Sequence, residues 1–77
     1  MKKVIIYSTL TCPYCQMAKE FLKELNVEFE EKLVDQDQSA YQEMLKKSGQ
    51  MGVPVLDIEG EIIVGFDREA IKSALEK

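Results

Sequence analysis

A short apolar strand followed at once by an amphipathic helix constrains the fold of this chain more than any other feature. Val4 to Ser8 is rich in β-branched residues and ends in a small polar residue, which is typical of a strand buried on both faces. From Pro13 to about Leu25, apolar residues recur at helical spacing, and we expect this helix to end near Asn26. A strand that continues through a helix into a parallel strand needs a right-handed crossover.

The rest of the chain continues this alternation of strands and helices. Residues 27–34 alternate between apolar and charged side chains, which predicts a half-exposed strand. Asp37 or Ser39 can cap a second helix that Gly49 ends. Residues 53–58 and 61–64 are predicted strands, joined through a tight two-residue turn into an antiparallel hairpin. Asp67 can cap a last helix.

The predicted element order is therefore β-α-β-α-β-β-α. The crossover and the closing hairpin together require an α/β fold with a four-stranded mixed sheet flanked by three helices. This arrangement resembles a minimal thioredoxin-like fold. With 77 residues and no linker or internal repeat, residues 1–77 are expected to form a single domain.

Composition and charge restrict the partners and the location of the protein. The chain is 45% apolar and 31% charged with a net charge of −4, which predicts a soluble globular protein that does not bind nucleic acid. The first apolar run stops after Tyr7, short of the roughly 7–15 residues of a signal peptide core. No apolar run approaches the ~20 residues of a membrane span. We therefore expect a cytoplasmic monomer without membrane contact.

The candidate chemistry lies in Cys12-Pro13-Tyr14-Cys15, where the first strand gives way to the first helix. Pro13 suits the first helical position, which places Cys12 at the N-cap. The amides of Tyr14 and Cys15 and the positive helix end then favour a thiolate on Cys12, without any histidine in the chain to act as a base. Cys15 lies one turn deeper on the same face. We expect Cys12 to attack a disulfide and Cys15 to resolve the product.

Two cysteines at this spacing have three other possible uses. A structural disulfide across so short a loop would stabilise the fold by only about 2 kcal/mol, and a reducing compartment would open it. A zinc site needs four ligands, and two thiols without an imidazole do not complete one, so no metal ligands are predicted. An iron–sulfur cluster bound between two chains, or with glutathione, stays open as the alternative function because partners could supply the missing thiolates.

Three segments together resemble the glutaredoxin family. They are the Cys-Pro-Tyr-Cys motif at 12–15, Gly-Val-Pro at 52–54 before a strand, and Gly-Phe-Asp at 65–67 before the last helix. The resemblance implies a thiol–disulfide oxidoreductase that acts on disulfide-containing proteins or small disulfides. It also implies that Pro54 is cis and that the backbone of Val53 meets a substrate peptide or glutathione. Phe66 and Asp67 would bind the γ-glutamyl end of glutathione, and Pro13 and Tyr14 would line the same site.

Two departures from the family pattern concern the electron donor. Typical glutaredoxins have a lysine and an arginine or similar polar residue where this chain has Thr9 and Met51, so half of the clamp for the glycine carboxylate is missing. Gly65-Phe66 replaces a Gly-Gly pair, as in the short redoxins that thioredoxin reductase reduces. The expected donor is therefore glutathione or thioredoxin reductase, and no bound cofactor is expected.

Overall fold

The polypeptide folds into one four-stranded mixed sheet with helices packed on both faces. The computed structural model describes residues 3–50 and 52–76. The elements follow in the predicted order: β1 (Val4–Ser8), α1 (Pro13–Glu24), β2 (Glu30–Leu33), α2 (Gln38–Ser48), β3 (Val55–Ile58), β4 (Glu61–Val64) and α3 (Arg68–Glu76). The strand order β2-β1-β3-β4 is that of a thioredoxin-like fold, with β1 parallel to β2 and the other pairs antiparallel. The α/β prediction is confirmed.

Two apolar clusters hold the helices against the sheet. One face of β1 and β3 packs against buried residues of α1 and α3, among them Ala18, Leu22 and Ile71. The opposite face packs against α2 through Tyr7, Met44 and Val55. Because β1 lies inside the sheet and its side chains alternate between these clusters, the strand is buried on both sides as its sequence predicts.

The ends of the helices are fixed by the expected capping groups. Asp37 is the N-cap of α2, where its carboxylate accepts hydrogen bonds from the amides of Ser39 and Ala40. Gly49 ends that helix in the left-handed conformation, with φ of 75°, which only glycine adopts without steric cost. The hairpin turn between β3 and β4 has positive φ at both central residues, as a tight two-residue connection requires.

Two predicted strands are shorter in the structure than in the sequence pattern. The strand predicted over residues 27–34 spans only Glu30–Leu33 in the structure. The Val27 amide donates a hydrogen bond to the Leu22 carbonyl at the end of α1 and so does not join the sheet. The strand predicted over residues 53–58 begins at Val55, since Pro54 has no amide hydrogen for a ladder bond. Both corrections move a strand end and leave the topology unchanged.

Candidate active site

One edge of the sheet brings together the loops that carry the predicted site residues. Ser8 pairs with Leu33 of β2, and Tyr7 pairs with Val55, which in turn pairs with Val64 of β4. The loops that follow β1, β2 and β4 and the segment that precedes β3 therefore leave the sheet at the same edge. Each of the three helices begins at this edge, so their positive ends point toward it.

Cys12 and Cys15 form a disulfide at the start of α1, with their Cα atoms 5.2 Å apart. Pro13 is the first helical residue and Cys12 is the N-cap, as the sequence predicts. The Cys12 sulfur accepts a hydrogen bond from the Cys15 amide at 3.1 Å. Cys12 is half-buried, whereas Cys15 is fully buried. Only the first sulfur is therefore both reachable from outside and held at the positive end of the helix.

Pro54 precedes β3 at the sheet edge from which the Cys12 loop also leaves. The Val53–Pro54 peptide bond is cis, and the Pro54 ring is fully buried. The Pro54 carbonyl accepts a hydrogen bond from the Gly65 amide at 2.8 Å, which fastens the start of β3 to the loop after β4. Val53 is half-buried and packs on the cluster of Tyr7, Met44 and Val55. The structure therefore leaves the backbone around Val53, rather than the Pro54 side chain, at the sheet edge.

Phe66 and Asp67 follow at the start of α3 and have different exposures. Asp67 is exposed, and its carboxylate accepts a hydrogen bond from the Ala70 amide at 3.1 Å, so it caps the helix. The Phe66 ring packs edge-to-face against Phe21 of α1, with 6.1 Å between the ring centroids. The Arg68 guanidinium covers the Phe66 ring at 5.4 Å. The Phe66 ring is therefore half-buried and in contact with both Phe21 and Arg68.

Tyr14 and Thr9 are the remaining predicted positions that the structure describes. Tyr14 is 62% exposed, one residue before the buried Cys15. Thr9 is half-buried and follows β1 directly. Met51 lies outside the described residues. No described group of three or more cysteine or acidic side chains is arranged to hold a metal ion, and no described helix has the length and apolar character needed to cross a membrane.

A polar network that the sequence pattern does not predict lies on the α2 face of the sheet. The buried Tyr7 hydroxyl donates a hydrogen bond to Glu43 and accepts one from Lys47 at 2.8 Å. Lys47 also bonds to Asp57 at 2.6 Å, and Lys32 bonds to Glu43 at 3.1 Å. The Tyr7 hydroxyl and then Lys32 lower the pKa of Glu43 to about 2. Burial, followed by the bond to Glu43, raises the pKa of Tyr7. The network therefore holds a fixed set of charges that joins α2 to three strands.

A second network fastens α1 to β2 on the opposite face. The fully buried Ser8 hydroxyl donates to the Glu31 carboxylate at 2.7 Å, and Lys19 of α1 bonds to the same oxygen at 2.7 Å. The hydrogen bond from Lys19, and then that from Ser8, lowers the pKa of Glu31. Lys19 lies one turn beyond Cys15, so this contact fixes the helix that carries both cysteines relative to the sheet.

Comparison with known proteins decides the family. The family model for glutaredoxins matches residues 4–63 of the chain. The chain belongs to the glutaredoxin family. It is 47% identical over 72 residues to an uncharacterized glutaredoxin-like 8.6 kDa protein in the rubredoxin operon of Clostridium pasteurianum, covering 94% of this chain and 96% of that protein. It is 40% identical over 67 residues to glutaredoxin 3 of Escherichia coli K12, covering 87% of this chain and 81% of that protein.

Solved glutaredoxin structures share the fold. The crystal structure of a glutaredoxin from Archaeoglobus fulgidus superposes with a TM-score of 0.90 at 28% identity, covering all of this chain and 89% of that one. Family membership and the close Cys12–Cys15 pair together identify a thiol–disulfide oxidoreductase in general terms. The resemblance stated from three sequence segments is confirmed.

The sequence pattern did not reveal the residues of these two networks, nor the exposed Leu10. Glu31 and Lys32 occur in a strand of alternating charge, and such a pattern ordinarily indicates a solvated face. Their partners come from positions 11 or more residues away in the chain, which a local pattern does not relate. Leu10 was detectable in principle, since it is a large apolar residue in the predicted loop before Cys12 and belongs to no core stripe.

Proposed function

We propose that this glutaredoxin reduces disulfides by dithiol exchange, with Cys12 as the nucleophile and Cys15 as the resolving thiol. The observation that carries the proposal is the asymmetry of the pair. Cys12 is partly exposed at the helix N-cap, and its sulfur accepts a hydrogen bond from the Cys15 amide at 3.1 Å, whereas Cys15 is fully buried. An N–H donor and a helix N-terminus both stabilise negative charge on sulfur, so Cys12 is the better thiolate.

The reaction proceeds in two exchange steps. The Cys12 thiolate attacks one sulfur of a substrate disulfide, a Cys12–substrate disulfide forms, and the other substrate sulfur leaves as a thiolate that takes a proton from water. Cys15 then loses its proton and attacks the Cys12 sulfur, which releases the second substrate thiol. The substrate gains two electrons and two protons, and the protein is left with the Cys12–Cys15 disulfide that the structure contains.

Glutathione is the donor that family membership favours for reducing this disulfide. Two glutathione molecules would return the two electrons and leave as glutathione disulfide. The backbone around Val53 and the Asp67 carboxylate, both at the edge that carries Cys12, are the groups proposed to hold a glutathionyl moiety. Asp67 suits this role because a carboxylate can pair with the α-ammonium of a γ-glutamyl group. Thioredoxin reductase is the alternative donor.

We also propose that the protein works as a monomer in the cytoplasm on disulfide-containing proteins. A reducing compartment keeps such a pair cycling instead of locking it as a structural disulfide. Clusters of iron and sulfur at a dimer interface remain the alternative raised by the sequence. Such a cluster could take the accessible Cys12 sulfur of each chain and the thiolates of two glutathione molecules, and no observation on the described residues favours it over disulfide exchange.

The test compares the Cys12→Ser and Cys15→Ser variants with the exposed control variant Ser73→Ala, using hydroxyethyl disulfide as substrate. The reductant is glutathione with glutathione reductase in one assay and thioredoxin reductase in the other. We expect Cys12→Ser to lose all turnover, and we expect Cys15→Ser, mixed with the substrate without any reductant, to accumulate a mixed disulfide on Cys12, detected by mass. Ser73→Ala should behave as the wild type. A mixed disulfide on Cys15 in the Cys12→Ser variant, with turnover retained, would contradict the assignment.

A further inference from the structure

Large apolar side chains are unusually exposed around Cys12. Leu10 is 60% exposed, Tyr14 62% and Met17 41%, and together we call these three residues the apolar rim. Leu10 and Tyr14 each lie two residues from Cys12, within about 7 Å along the backbone. Met17 lies three positions beyond Tyr14 on the same flank of α1. Apolar surface gathered around a reactive sulfur indicates a docking surface.

The charges next to the apolar rim are mostly negative. Asp35, Asp37 and Asp67 lie in the loops that leave this edge, and all three are exposed. The Asp35 carboxylate accepts a hydrogen bond from the Leu10 amide at 3.3 Å, which places it directly beside the apolar rim. No described lysine or arginine forms an ion pair with Asp35. Its charge is therefore available to a partner.

The cations of the described chain lie elsewhere or have partners. Lys19 pairs with Glu31, Lys32 with Glu43, and Lys47 with Asp57 and Glu43. Arg68 is the first residue of α3 and directly follows Asp67 in the chain. Its guanidinium covers the rings of Phe21 and Phe66 at 5.7 and 5.4 Å. That position is on the flank of α1 toward α3, away from the contact between α1 and β2. Lysines in the last turns of α1 and α2 point to the other end of the molecule.

From this arrangement we propose that the preferred substrate is a disulfide within a polypeptide segment that carries both an apolar and a basic side chain next to the cysteine. The apolar side chain would cover Leu10 and Tyr14, and the basic side chain would pair with Asp35. This inference rests on the proposed disulfide reduction and adds the class of substrate. A second copy of the chain or an anionic lipid surface would bring negative charge against the same carboxylates, so neither fits this edge.

The experiment uses three single-cysteine peptides that differ only at two positions beside the cysteine: Leu and Lys, Leu and Glu, or Ser and Lys. Each is supplied as its 2-pyridyl mixed disulfide. The Cys12 thiolate attacks the peptide sulfur and pyridine-2-thione leaves, which is followed by absorbance. Cys15 then releases the peptide thiol and the protein is left oxidised, so the fully reduced protein reacts once with each peptide.

We expect the Leu-Lys peptide to react about fivefold faster than the Leu-Glu peptide at low ionic strength, because one exposed ion pair replaces one repulsion. High salt should shrink this ratio. Asp35→Asn should reduce the ratio by about half, and Asp35→Glu should retain it. The matched control Glu24→Gln removes the same charge at the far end of α1 and should leave the ratio unchanged.

Leu10→Ser should lower the advantage of the Leu-Lys peptide over the Ser-Lys peptide, whereas Leu25→Ser, at the other end of α1, should preserve it. Both readouts are ratios between peptides, so a general loss of redox activity does not imitate them. If hydroxyethyl disulfide is reduced but the peptides react equally, or if Asp35→Asn leaves the ratio unchanged, the substrate class is wrong while the proposed function stands. If the reduced protein reacts with neither hydroxyethyl disulfide nor any peptide, both proposals fail.

Discussion

Replacing Lys47 with methionine removes the centre of the network between α2 and the sheet while keeping a long apolar stem. The Lys47 ammonium lies 2.6 Å from Asp57 and 3.3 Å from Glu43, and it donates to the Tyr7 hydroxyl at 2.8 Å. The side chains of Lys47 and Asp57 are 28% and 13% exposed, so this pair is neither fully solvated nor fully buried. The variant leaves the Asp57 carboxylate without its cation.

The expected cost lies between the values for exposed and buried pairs. Exposed ion pairs contribute about 0.2–1 kcal/mol, and breaking a buried pair costs about 3–5 kcal/mol. Lys47→Met should therefore lower the free energy of unfolding by about 2 kcal/mol, a large part of the ~4–12 kcal/mol expected for a domain of this length. The thermal midpoint should fall by roughly 8–16 °C.

Urea unfolding of the reduced protein, followed by far-UV circular dichroism, measures this loss. Lys46→Met is the matched control, because Lys46 is the exposed neighbouring residue of the same helix. It should change the unfolding free energy by no more than about 0.5 kcal/mol. A double-mutant cycle with Asp57→Asn should show a coupling of ~1 kcal/mol or more. If Lys47→Met and Lys46→Met cost the same, the network does not stabilise the fold as described.

Two further predictions concern acid stability and the electron donor. The folded-state pKa of Glu43 is about 2 against an ordinary 4.5, so its stabilisation is complete above pH ~4.5 and is lost as the pH falls toward 2. The unfolding free energy of the Glu43→Gln variant should therefore fall less steeply between pH 4.5 and pH 2, and the difference should be about 1 kcal/mol because this side chain is partly exposed. The same pH dependence in the variant and the wild type would contradict this. Thr9→Lys with Met51→Arg should lower the apparent Michaelis constant for glutathione by about tenfold, since the new cations can bind its glycine carboxylate. An equal gain with a neutral dithiol would instead indicate thiolate activation alone.

The order of elements and the place of Cys12 were predictable because local rules determine both. Pro13 fixes the first turn of α1, and Asp37 caps α2 with bonds to nearby amides. The start of β2 was not predictable in this way. The alternating pattern from Val27 fits a strand, but the Val27 amide is used by the Leu22 carbonyl at the end of α1. A hydrogen bond that ends a helix thus took precedence over a pattern that favours a strand.

The polar network on the α2 face of the sheet was also beyond the reach of local patterns. Lys47 bonds to the Tyr7 hydroxyl 40 positions earlier in the chain, and only the folded sheet brings the two together. Periodicity assigns a lysine in the last turn of a helix to solvent. The Phe66 ring packs against Phe21 of α1, 45 positions earlier in the chain, which is a further contact that no local pattern relates. Side-chain contacts between elements that are far apart in the chain therefore could not be predicted from the motifs.

The measurement that tests the central claim most directly is the rate of alkylation of each cysteine in the reduced native protein as a function of pH. Iodoacetamide labelling with mass mapping follows Cys12 and Cys15 separately. The Cys12 sulfur accepts a hydrogen bond from the Cys15 amide at the N-terminus of α1. We therefore expect Cys12 to be labelled first and to titrate with an apparent pKa below the ~8.5 of a free thiol. The buried Cys15 should react slowly at every pH in the range where the fold is retained. Faster labelling of Cys15 would contradict the assignment of the nucleophile, as would an apparent pKa for Cys12 at or above the free-thiol value.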